Sequence, residues 1–64
     1  MSAYRYQVIQ ETHPSYISYG LACAAAQVLD ISCDRQFAEQ LAERYTRFQL
    51  SPLHLAEAVQ DALM

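Results

Sequence analysis

Glycine is almost missing from this chain: Gly20 is the only one in 64 residues. Loops that cradle a phosphate on backbone N–H groups need several glycines close together, so a nucleotide-binding loop of that kind is excluded. Basic residues are nearly as scarce. Lysine and arginine together number four against seven acids, giving a net charge of −3. A nucleic-acid binder needs a cationic footprint to displace counterions from phosphates. Arg35, Arg44 and Arg47 are too few for that and stand among Glu39 and Glu43. No nucleic-acid partner is expected.

Long apolar runs are absent too. None approaches the ~20 residues of a membrane span, so no membrane partner is expected. The opening residues MSAYRYQ lack the charged-then-apolar layout of a secretory leader. The expectation is a cytoplasmic protein in which Cys23 and Cys33 are reduced thiols. These are the only two cysteines, ten positions apart, and His13 and His54 are scattered. Structural zinc sites bring ligands in close pairs such as C-x-x-C, which this spacing does not provide. Neither metal nor cofactor is expected.

What remains is apolar and helix-forming: 53% of the residues are hydrophobic, many of them alanine. A chain of this length forms one small domain, 1–64, and buries only about 60% of the surface its unfolded form exposes. Such domains often gain support from self-association.

Residues 50–63, LSPLHLAEAVQDAL, carry the most explicit structural instruction. Ser51 suits the N-cap, where its hydroxyl accepts from an orphan N–H. Pro52 suits the first helical position, where its missing N–H costs nothing. Leu50 and Leu55 have the spacing of a hydrophobic staple. Leu55, Ala58, Val59, Ala62 and Leu63 then form an apolar stripe.

Residues 4–10 alternate, with Tyr4, Tyr6 and Val8 on one side, as in a half-buried strand. Pro14 interrupts, and a second strand starts at Tyr16 with Ile17, Tyr19, Leu21 and Cys23 on its heavier face. A four-residue loop at 12–15 pairs Glu11 with Tyr16, Val8 with Tyr19, Tyr6 with Leu21 and Tyr4 with Cys23. That register puts the bulky residues on one face. The lighter face, with Tyr16, Ser18, Gly20, Ala22 and Ala24, is left flat and open to a partner.

Residues 21–31 read two ways. One is a strand ending near Ala24, an alanine turn, and a third strand over 27–31 with Leu29 and Ile31 on the core face. The turn is chemically poor, because it lacks the Gly, Asn or Asp that tight turns favour. The other is a short helix, consistent with the alanines. Beyond it, Ser32 or Asp34 opens a helix running to about Phe48, with Phe37, Leu41, Tyr45 and Phe48 along its apolar stripe. The short connector at 49–50 makes the two helices neighbours that pack as a hairpin. The fold class is α+β: a small antiparallel β-sheet, hairpin or three-stranded meander, with one face covered by two C-terminal helices.

Residues 50–55 (LSPLHL), followed by Glu57, Val59, Asp61 and Leu63, resemble the C-terminal signature of a family of short uncharacterised bacterial proteins, catalogued as a domain of unknown function. That LSPxHL signature continues with an acid, two aliphatics, two acids, an aromatic and a leucine. Tyr19-Gly20-Leu21 and Asp30-Ile31-Ser32 match as well, whereas Ala58, Gln60 and Ala62 depart from the pattern. The resemblance implies a sheet with two helices and favours strands for 21–31. It brings no catalytic residues.

Candidate chemistry is sparse. His54, Glu57 and Asp61 share a helical face by their spacing, the arrangement of a base oriented by carboxylates or of a solvated polar surface. Cys33, near a helix start, is better placed than Cys23 for a reactive thiol. The leading reading is a non-catalytic small interaction or regulatory protein, with an unidentified protein partner or itself as a homodimer. The alternative is a small enzyme or accessory subunit using His54 or Cys33. A nucleic-acid-binding regulator is the third and is disfavoured by charge.

Overall fold

The computed structural model describes residues 4–64. The leader reading above bears in part on residues 1–3, which lie outside them. Three antiparallel strands, β1 (Gln7–Thr12), β2 (Ile17–Cys23) and β3 (Ala26–Ser32), form a sheet in the order β1-β2-β3. Helix α1 (Arg35–Arg47) follows, then a 3-10 turn (Pro52–His54) that leads into α2 (Leu55–Leu63). The fold is α+β, as the sequence implies. Among the described residues no helix is long and apolar enough to cross a membrane.

Both helices lie on one sheet face. The core joins Tyr6, Leu21, Cys23 and Ile31 of the sheet layer to Leu41, Ala42 and Tyr45 of α1 and to Leu55 and Val59 of α2. Leu21 and Leu55 are fully buried at its centre. The rings of Tyr6 and Tyr45 meet edge to face with centroids 5.7 Å apart, a favoured geometry for aromatic pairs. Each helix packs more closely on the sheet than on the other helix, so the expected helix hairpin is held together chiefly through the sheet.

The hairpin register differs from the expected one by two residues. Val8 pairs with Leu21, Gln10 with Tyr19 and Thr12 with Ile17. The loop is 13–16, closed where His13 N–H donates to the Tyr16 carbonyl at 2.8 Å. Proline explains the shift. A loop at 12–15 puts Pro14 third, a poor place in the commonest turn, whereas 13–16 puts it second, where its fixed φ is favoured. An even slip preserves the faces, so Val8, Leu21 and Cys23 still point to the helices.

Residues 4–6 are not part of the ladder, contrary to a strand over 4–10. Tyr6 N–H donates to Thr46 Oγ1 at 3.0 Å, and Tyr4 bonds through its backbone to the Gln49 side chain. Tyr4 is consequently exposed rather than in the core.

Residues 21–31 form strands, not a helix. The β2–β3 turn is Ala24-Ala25, and Ala24 adopts a left-handed φ of 54° in place of the missing glycine. β3 then bulges. Leu21 pairs with Val28 but Tyr19 pairs with Ser32, so extra β3 residues stand opposite Gly20. Asp30 sits in the bulge with φ 57°. Leu29 follows Val28, which packs against the core, and so takes the outer face, 45% exposed, while Ile31 is buried; only one of the two reaches the core as expected.

Asp34, not Ser32, caps α1: its Oδ1 accepts from Gln36 N–H at 3.0 Å, and Ser32 Oγ accepts from Asp34 N–H. The helix ends in a Schellman arrangement, with Leu50 N–H donating to Tyr45 O and Gln49 N–H to Thr46 O. Phe48, expected on the apolar stripe, is the C-cap and is 72% exposed. Ser51 Oγ accepts from Leu53 N–H, so the Ser-Pro start operates as the sequence implies, with the first turn tightened to 3-10. The α2 stripe buries Leu55 and Val59 but leaves Ala62 and Leu63 exposed.

Candidate functional site

His54, Glu57 and Asp61 do not converge. All three are exposed, and among the described residues no side-chain hydrogen bond links them. His54 occupies the position before α2, but its side chain makes no capping bond. Glu57 lies in the first turn of α2, where a carboxylate is favoured by the helix dipole. Asp61 is near enough to the phenol of Tyr45 to oppose its ionisation. Two concavities run along α1. The larger, of about 370 Å³, is lined by Gln40, Glu43, Arg44, Arg47 and Phe48, and the smaller, of about 130 Å³, by Phe37, Gln40, Leu41, Arg44 and Ala62. His54 reaches neither.

Cys23 is buried beside Tyr6, and Cys33 is exposed just before the α1 cap. Among the described residues no three His, Cys, Asp or Glu side chains are grouped as metal ligands.

A polar cluster that sequence reasoning missed occupies the sheet face away from the helices. Ser18 is fully buried there, and its Oγ lies 2.9 Å from His13 Nε2. The His13 ring stacks on Tyr16 at 4.3 Å between centroids. Glu11, paired with Ser18, sends Oε2 across the sheet to accept from Asp30 N–H at 2.7 Å. The face expected to be flat and open is therefore partly closed by the β3 bulge and the His13 ring. Ser18 is closed off from solvent, and its pairing with His13 ties the 13–16 loop to β2. The signal was a lone glycine within a strand, a mark of a bulge or of close backbone approach.

The sheet edges differ in kind. Hydrogen-bonded and non-bonded pairs alternate along an antiparallel ladder. Because His13 N–H bonds Tyr16 O, the pairs Glu11–Ser18, Ile9–Gly20 and Gln7–Ala22 are the bonded ones. The N–H and C=O groups of Val8, Gln10 and Thr12 then point away from β2. Among the described residues no strand covers them, because β1 stands at the edge of the sheet. Proteins guard such edges with lysine, proline, a bulge or an inward charge. β3 has its bulge. β1, QVIQET, has neither lysine nor proline, its pairing is regular, and its one charge, Glu11, is bonded to Asp30.

Comparison with protein-family models, with curated proteins and with solved structures finds no significant match to this chain.

Proposed function

We propose that this chain is a non-catalytic interaction protein that works by strand addition at β1. The observation that supports this most directly is the contrast between the two sheet edges, one bulged and one regular and unguarded. An extended segment laid along β1 meets a preformed row of backbone donors and acceptors, and alternate side chains set its specificity. The chemistry points the same way, since His54 and Cys33 are exposed outside both concavities and His54 has no orienting partner among the described residues. A cytoplasmic setting belongs to this proposal and is compatible with two free thiols. The LSPxHL signature then serves as the helix start that seats Leu55 in the core, not as a reactive motif.

The test is selection of peptides from a displayed library against the wild-type chain, followed by amide chemical-shift mapping. The expected result is shifts concentrated at Val8, Gln10 and Thr12 and loss of binding in Gln10→Pro. That proline removes only an outward N–H, so it blocks the edge without breaking the internal ladder. Peptides that bind Gln10→Pro as well as wild type overturn the reading.

A further inference from the structure

This inference rests on the strand-addition reading and names its occupant. We propose that the strand added at β1 is β1 of a second copy, antiparallel, about a twofold axis through Gln10. Three properties of the edge lead there.

The first is hydrogen-bond parity. Within β1 the outward backbone groups are those of Val8, Gln10 and Thr12, so these must meet each other across the axis. With the axis at Gln10, Gln10 faces its mate and Val8 faces Thr12 of the second copy in both directions, making about six backbone hydrogen bonds. An axis at Ile9 or at Glu11 aligns fewer outward groups and makes about four.

The second is charge. An axis at Glu11 sets that carboxylate directly against its own copy, which is destabilising. An axis at Gln10 instead sets Glu11 opposite Ile9, and each Glu11 stays bonded to Asp30 N–H in its own chain. No like charges then oppose each other within the paired strands.

The third is what the pairing covers. Val8 and Ile9 are only half-buried in the single chain, and both gain a neighbour across the axis. Two-fold self-pairing of one patch is the commonest way for a soluble chain to associate. The result is a six-stranded sheet whose two outer edges are both bulged β3 strands, so growth stops at two copies. The paired strand is six residues long, against the roughly 20 or more residues a side of a standard interface, so the dimer is weak and depends on concentration.

The experiment combines sedimentation velocity with amide exchange across a concentration series up to millimolar. The expected result is a monomer–dimer equilibrium in which the Val8, Gln10 and Thr12 amides gain protection as dimer forms. Gln10→Lys, which opposes two ammonium groups at the axis, should weaken dimerisation at least tenfold while leaving circular dichroism unchanged. In a Cys33→Ser background, Gln10→Cys should form a disulfide-linked dimer, since bonded antiparallel pairs place Cα atoms about 5.5 Å apart, within disulfide range. Gln7→Cys, remote from its own copy in this register, should not. A dimer whose edge amides exchange as fast as in the monomer overturns the proposal, as does equal cross-linking of the two cysteine variants. A strict monomer overturns it too. If library peptides still shift the same three amides, strand addition stands and only the second copy is rejected.

Discussion

The side-chain amide of Gln49 brackets the backbone of Tyr4. Its Oε1 accepts from Tyr4 N–H at 2.8 Å, and its Nε2 donates to Tyr4 O at 3.1 Å. One side chain thus does for residue 4 what a neighbouring strand does for residues 7–12. It also holds the segment before β1 against the C-terminal end of α1, beside the Tyr6–Thr46 bond.

Gln49 achieves this from a left-handed φ of 54°, at the position after the α1 C-cap where glycine is usual. Its backbone strain costs about 1 kcal/mol, and its side-chain bonds offset that by about 1–2 kcal/mol. Gln49→Ala keeps the strain and loses the bonds, so it should destabilise by about 1–2 kcal/mol. Gln49→Gly loses both and should be more stable than the alanine variant by about 1 kcal/mol. Urea unfolding of the two variants checks the order. Equal stabilities would show that the strain is not there.

Tyr6 carries a pH dependence. Its hydroxyl donates to the Leu50 carbonyl, and burial, aided by the neighbouring Cys23 thiol, pushes its pKa up to about 12 from 10.0. The folded chain therefore holds the phenolic proton more tightly than the unfolded chain. That contribution is fully present below pH 10 and is lost as pH rises through 12. The loss should be on the order of 2 kcal/mol. Tyr6→Phe should flatten the alkaline fall in melting temperature without abolishing it, because burial raises the Tyr45 pKa as well. An unchanged alkaline slope in Tyr6→Phe would count against this assignment.

The sequence disclosed those features whose causes are local. Ser51-Pro52 opens its turn because both residues act on backbone groups within a few positions, and strand parity survived because alternation is local too. The register turned on which turn position Pro14 takes, a local choice between two loops, whereas bulge and clamp depend on distant partners. Gln49 meets Tyr4 across 45 positions and Glu11 meets Asp30 across 19, and no periodicity encodes either contact. The polar face of α2 illustrates the converse error. His54, Glu57 and Asp61 have the spacing of a cluster, but spacing places side chains on a face without making them converge.

The β2–β3 turn should be improvable. Ala24 at φ 54° occupies the first central position of a two-residue hairpin loop, where glycine is favoured. Ala24→Gly removes a methyl group from a conformation that costs L-residues about 1–2 kcal/mol, while adding flexibility to the unfolded chain. The net effect should be stabilisation by about 0.5–1 kcal/mol, read from the urea midpoint at constant slope. A destabilised variant would show that the Ala24 side chain makes a contact that matters more than its φ.

The bulge should be the least tolerant feature of the sheet. A Cβ on Gly20 meets the Val28 carbonyl oxygen and lies 2.9 Å from Leu29 Cα, both backbone atoms of the bulging strand. Backbone cannot yield as a flexible side chain does, so Gly20→Ala must expel the bulge or open the β2–β3 ladder. A loss of about 3 kcal/mol or more is expected, a large fraction of the stability of so small a domain. Glu11→Ala tests the same feature from the other strand. It leaves Asp30 N–H without its carboxylate and should cost about 1–2 kcal/mol, whereas Glu11→Gln keeps an acceptor and should cost less. If the bulge is held as described, the losses rank Gly20→Ala, then Glu11→Ala, then Glu11→Gln. Amide exchange at Asp30 should then accelerate in Glu11→Ala before the rest of β3 does. Exchange at Asp30 that is indifferent to Glu11 would instead assign the bulge to Gly20 alone.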